Sequence, residues 1–191
     1  MFKSGLSAAP PAAFGFLNAS PAKITVNGST LGPVPGTLGL VGGPVSITGS
    51  TLGAPAGTIH VASAAGTGEA PVDPRNTAAL TVTGLGTVDL RGSRLDVSNL
   101  IRPGSGGSVF ISSGALTINA SEVNGDNYGS GPGGQLLLRG DSLVALSNHA
   151  TVHALALGAG TGANVTISAA PSGSISADAA VSVRAMPGRS R

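Results

Sequence analysis

The feature that most constrains this chain is an apolar-x-apolar motif that follows small residues and returns at long, regular intervals. It occurs as TLGL (37–40), GTIHV (57–61), ALTV (79–82), GGSVFI (106–111), GGQLLL (133–138) and GANVTI (162–167). The first apolar residues are Leu38, Ile59, Leu80, Val109, Leu136 and Val165, separated by 21, 21, 29, 27 and 29 residues. A finer step of seven or eight residues runs inside each unit, from Leu38 to Val45 to Leu52 and from Leu80 to Val88 to Leu95. It recurs from Val109 to Leu116 to Val123 and from Leu136 to Leu143 to Ala150. The unit at Ile59 lacks a clear second and third strand, because Gly66 and Asp73 stand where apolar residues are expected.

A step of seven is also the coiled-coil repeat. Gly or Pro falls in nearly every unit, however, and each costs a helix interior about 1–3 kcal/mol. The local alternation, as in Val109-x-Ile111 and Leu116-x-Ile118, is that of a strand. The expected fold is therefore all-β: a right-handed parallel β-helix, three short strands per coil, about six coils. Handedness follows the crossover preference of parallel strands. The extra residues of the longer units fall around 102–107, 125–134 and 158–163, at one corner, where a solenoid tolerates loops. Ile59, Leu80, Val109, Leu136 and Val165 should form one inward column, and Val45, Val88, Leu116 and Leu143 a second. His60, Thr81, Phe110, Leu137 and Thr166 should face outward. Phe110 and Leu137 then become an exposed apolar pair, a contact patch for another chain or a shielding segment. Neither end carries a polar cap, so the chain reads as cut from something longer.

Composition narrows the function. Of 191 residues, 31 are Gly and 13 Pro, and only 9% are charged, yet 41% hydrophobic content argues against disorder. Ten Lys and Arg are scattered, and aromatics make up 3%, so neither a basic stripe nor a stacking platform for nucleic acid is present. Absence of cysteine removes disulfides, thiolate metal sites and Cys nucleophiles. No run approaches the 18 or so apolar residues of a membrane span. No secretion signal is legible, since Pro10 and Pro11 interrupt the segment after Lys3; the address of an exported protein would lie upstream of Met1.

Individual residues yield no convincing chemistry. His149 and His153 have the i, i+4 spacing of a helical zinc pair, but on a strand they stand about 13 Å apart. Asp89 and Asp96, with Arg91 and Arg94, form the one acidic-basic cluster. The outward neighbours expected beside Asp89 are Ser46 and Thr117, which add no acid. Asn124, Asp126 and Asn127 resemble a calcium loop with only one carboxylate, so turn formation is the better reading. GSGPGG (129–134) is followed by no helix and is no dinucleotide fingerprint. Sequons at Asn18, Asn27, Asn119 and Asn164 read as Asn/Ser turn chemistry. The expectation is no catalytic, cofactor-binding or metal residue, and no cofactor. Any specific contact should lie on Phe110 and Leu137 or on the insert corner with Arg102, Asp126 and Tyr128.

AFGFLNASPAKITVNGSTL (13–31), TLGLVGGPVSITGSTLGAPAGTIHVAS (37–63) and GGSVFISSGALTINAS (106–121) resemble the filamentous haemagglutinin family of two-partner secretion exoproteins. The likeness runs from about Ala13 to Ile167, and its LVGG block is its most specific part. It implies a β-helical passenger following the secretion domain, exported through an outer-membrane partner transporter. It also implies a secreted or cell-surface location and adhesion to host, bacterial or matrix ligands. The family's secretion domain, with its Asn-Pro motifs, would lie before Ala13. On this reading residues 1–22 are a lead-in remnant, 23–183 the β-helix and 184–191 a disordered tail. Two other functions compete. A polysaccharide-active β-helix enzyme would use Asp89 and Asp96. An ice-binding solenoid would need Thr-x-Thr ladders, of which only Thr81-x-Thr83 is found.

Overall fold

The computed structural model describes residues 11–100, 103–178 and 180–182. It is all-β: among the described residues the only helical turn is a 3-10 segment at Thr77–Ala79. Apart from one antiparallel pair, the strands fall into three parallel ladders that the chain visits in turn. The first comprises Thr37–Gly42, Thr58–Ser63, the front halves of Ser108–Asn119 and Gln135–Ser147, and Asn164–Ala169. The second comprises Ile24–Asn27, Val45–Thr48, Thr87–Arg91, the back halves of the same two long strands, and Ser174–Ala177. The third comprises Thr30–Leu31, Thr51–Gly53, Arg94–Asp96, Glu122–Asn124, Thr151–His153 and Ala180–Ser182.

Alternation along each strand sends every second residue to a shared interior. In the first ladder Leu38, Ile59, Val109, Leu136 and Val165 align, as do Leu40, Val61, Ile111, Leu138 and Ile167. In the second, Ile24, Val45, Val88, Leu116, Val144 and Ile175 align. In the third, Leu31, Leu52, Leu95, Val123 and Val152 align. These columns meet in one apolar cluster, and its middle members are fully buried. Each such side chain contributes about 1.5–3 kcal/mol on leaving water.

Three expected positions need correction. Leu80 is not in the first column, because Ile59 pairs directly with Val109. Residues 64–86 instead leave the ladders as a hairpin, with Thr81 and Thr83 N–H donating to the Glu69 and Thr67 carbonyls at 2.9 and 2.8 Å. Ala13–Phe16 adds to it as an antiparallel strand beside Gly68–Pro71. Leu143 stands one residue off the second column, where Val144 is fully buried. The register shifts there because Asp141 and Ser142 occupy a corner that Gly114 alone fills on the preceding strand. The third-column position of that unit belongs to Val152, while Ala150 packs beside it in the turn.

The outward register of His60, Phe110, Leu137 and Thr166 is as expected, but the exposed pair is not formed. The hairpin lies over this face, leaving Phe110 only 2% exposed with the Arg75 guanidinium 5.5 Å from its ring centroid. Leu137 is half-buried. All six residues of Thr58–Ser63 are buried, because this strand is covered on both faces. The smaller inserts do fall between third and first ladders. There Gly107 and Gly134 are stacked so closely that a Cβ on Gly134 would collide with the Gly107 carbonyl.

The corrected second column yields a paired test. Leu116→Ala should cost about 2–5 kcal/mol in denaturant unfolding, and Leu143→Ala markedly less. Equal losses would place Leu143 in the interior after all.

Candidate functional site

The corner between the second and third ladders is built from a four-residue turn repeated as NGST (27–30), TGST (48–51), RGSR (91–94) and NASE (119–122). The second residue sits in the left-handed region, with φ of 55° at Gly28, Gly49 and Gly92 and 48° at Ala120. Glycine is favoured there because it lacks the Cβ that makes this conformation costly. The third residue forms a chain of serines. Ser29, Ser50 and Ser93 N–H donate to the Oγ of Ser50, Ser93 and Ser121 at 3.1, 3.2 and 3.0 Å. Each hydroxyl in turn donates to the carbonyl two residues back, at Asn27, Thr48, Arg91 and Asn119. Buried polar groups are thus paired along the corner. The sequons at Asn27 and Asn119 therefore belong to turn chemistry, as expected.

An open groove of about 270 Å³ runs along this corner, lined by its glycines and serines and by Arg94, Glu122, His149 and Thr151. Parallel register sets Arg94 between Thr51 and Glu122, with Thr151 one rung beyond, and Asp96 beside Asn124, with His153 one rung beyond. Arg94 reaches Glu122 Oε2 at 2.8 Å and Asp96 Oδ2 at 2.9 Å. Asp96 Oδ1 accepts the Ser98 N–H at 3.0 Å. Burial by itself would raise the Asp96 carboxyl. The Ser98 N–H and the Arg94 guanidinium outweigh it and hold the group below its ordinary value. Burial acts against the Arg94 charge too, and the Asp96, Glu122 and Asp126 carboxylates overcome it, raising the guanidinium further. Unlike polar groups therefore stack on adjacent rungs here. Glu122 was missed because only the ladder register, 28 residues on, brings it to Arg94.

The other candidates are dispersed. Asp89 pairs with Arg91 at 2.7 Å and is flanked across the ladder by Ser46 and Thr117, as expected. His149 lies in the corner with φ 61°, and His153 on the third ladder. No group of three or more His, Cys, Asp or Glu among the described residues could hold a metal. Asp126 is buried at a turn rather than displayed, its Oδ1 accepting the Leu155 N–H at 2.8 Å. Asn127, fully buried, accepts the Gly129 N–H and donates to the Gly131 and Thr161 carbonyls, each at 2.9 Å. Tyr128 is half-buried and bonded through its N–H to the Asn99 carbonyl. Arg102 lies outside the described residues, as do 184–191. No helix among the described residues is long and apolar enough to cross a membrane.

The fold and the site define an all-β chain of stacked parallel strands with an ionic outer strip. No family model matches this chain, and neither a curated protein nor a solved structure shows significant similarity to it.

Two measurements probe this corner. Ser93→Ala leaves the Ser50 N–H without its acceptor and should cost about 1–3 kcal/mol. Ser29→Ala, at the exposed end, should cost less. Asp96 binds protons less readily when folded than when unfolded. Its stabilisation is therefore complete above the ordinary carboxylate value of about 3.9 and vanishes as pH falls through the lowered one. The stability gap between wild type and Asp96→Asn should accordingly close on acidification.

Proposed function

We propose that this chain is a segment of a right-handed parallel β-helix, three strands per coil and about six coils. On this reading it belongs to the passenger of a filamentous haemagglutinin-like exoprotein. It acts in adhesion or cell contact, secreted or at the cell surface, and is not an enzyme. The full-length protein would use an outer-membrane transporter, and its ligands would be host, bacterial or matrix surfaces.

The observation that carries the reading is the order of strands. Successive strands return to the same ladder after 21 residues early in the chain, 43 to 50 across the detour at 64–86 and 27 to 31 later, always in parallel. The second ladder turns a column of Thr25, Ser46, Asp89 and Thr117 outward, and beside it Asn27, Thr48, Arg91 and Asn119. A repetitive face of small polar groups suits many weak contacts that add through avidity.

A polysaccharide-active enzyme is the second reading, favoured by Asp96 and Glu122 meeting at Arg94 rather than by Asp89. General acid catalysis needs a carboxyl raised towards neutral pH. Asp96 is shifted the other way and Glu122 is in an ion pair, which supports the non-catalytic reading.

Labelled full chain should bind bacterial cells, host cells or matrix in a saturable manner, displaced by unlabelled chain. Folded protein that binds none of these would sink the adhesive reading. Release of reducing ends from anionic glycans, lost in Glu122→Gln, would replace it with the enzymatic one.

A further inference from the structure

The hairpin at 64–86 covers a titratable residue. His60 is 4% exposed on the outer face of the first ladder. It lies against a small cavity closed by Ala62 and Ser112 from the ladder and by Pro71, Pro74, Thr77 and Leu80 from the hairpin. Beside it, Phe16, Ala70, Leu80, Val82 and Leu85 pack over Ala62 and Ala64. The cover is thus the antiparallel pair Ala13–Phe16 and Gly68–Pro71 with 81–83 bonded along it, apolar on its inner side and joined to the ladders through backbone hydrogen bonds at its two mouths, Ala64 and Gly86. It can lift as a unit without breaking a ladder, because Thr58–Ser63 keeps its pairing to both neighbouring strands.

We propose that 64–86 and Ala13–Phe16 form an acid-released cover, latched by neutral His60 and opening when that imidazole takes up a proton. Burial under the hairpin lowers the affinity of the ring for a proton, and the Asp73 carboxylate offsets this only in part. The charged groups of the cover are Glu69, Asp73 and Arg75. Asp73 is engaged by Arg75, which also lies over Phe110. The ladder strands on either side, Thr37–Gly42 and Ser108–Asn119, contribute no titratable group, nor does Ala13–Phe16. A proton on His60 therefore meets mainly apolar surroundings when the cover is shut and water when it is open.

The sign follows from linkage. The closed state binds fewer protons than the open one. Closure is thus fully favoured above the ordinary imidazole value of about 6.5 and weakens as pH falls below it. Between pH 7.5 and 5.0 the opening constant rises by at most about 30-fold, the limit set by that value.

Hydrogen exchange followed by mass spectrometry on the full chain, corrected for intrinsic rates, tests this at the two pH values. Faster exchange in 64–86 and 12–17 at pH 5.0, with 88–91 and 109–118 still protected, is the expected result. His60→Gln should abolish the pH difference. Should His60→Gln fail to fold, His60→Asn serves in its place. Equal protection of 64–86 at both pH values in wild type overturns the proposal. So does an acid response that persists in the substituted chain, or one in which the ladders open together with the cover.

Discussion

In-register stacking of Ile, Val and Leu along three parallel ladders is the interaction on which everything else rests. No strand of three to six residues has enough surface to be stable alone, and each one's backbone groups find partners only on neighbours. The consequence is visible at the ends. Val144 and Leu116 in mid-column are fully buried, whereas Ile175 in the last described rung of that same column is 51% exposed. Leu38 and Leu40, at the opposite end, are half-buried. Burial here depends on position in the stack rather than on residue type, as expected where each repeat contacts only its neighbours.

The corners solve a different problem. A turn that recurs at every level places polar backbone groups above one another, away from water, and these need partners of their own. The serine chain from Ser29 to Ser121 meets that need on one corner, and Asn127, bonded to Asn99, Gly129, Gly131 and Thr161, meets it on another. The serine chain stops where the turn gains a residue at Asn148 and His149 and Ala150 takes the buried place. Corner chemistry and core chemistry therefore constrain the same repeat independently, and a substitution that satisfies one can still fail the other.

Periodicity of apolar residues was enough to read the all-β class, the parallel pairing and the inward side of most strands. It failed where local pattern is ambiguous. Leu80-Thr81-Val82 has the same alternation as a ladder strand, and only the bonding of Thr81 to Glu69 and of Thr83 to Thr67 makes it part of a hairpin. Leu143 and Val144 are both apolar, so nothing in the alternation chooses between them; the corner at Asp141 and Ser142 does. At the candidate site, Arg94 and Asp96 stood out as neighbours in sequence. Glu122 did not, because its proximity exists only once the ladder register is known. Phe110 was correctly turned outward, yet its burial depends on a segment whose sequence resembles another coil.

The detour at 64–86 leaves the stack at Ser63 and rejoins it at Gly86, whose N–H donates to the Ser63 carbonyl at 2.9 Å. Its two mouths are pinned together, and Val45 remains paired with Val88 across the gap as though nothing intervened. The corner after Ser63 is thus an insertion port. Length and sequence can change there without any ladder strand having to find a new partner, provided that Gly68–Pro71 remains to pair with Ala13–Phe16 and to cover Phe110. Change at this corner stays confined to one face of an otherwise unaltered frame.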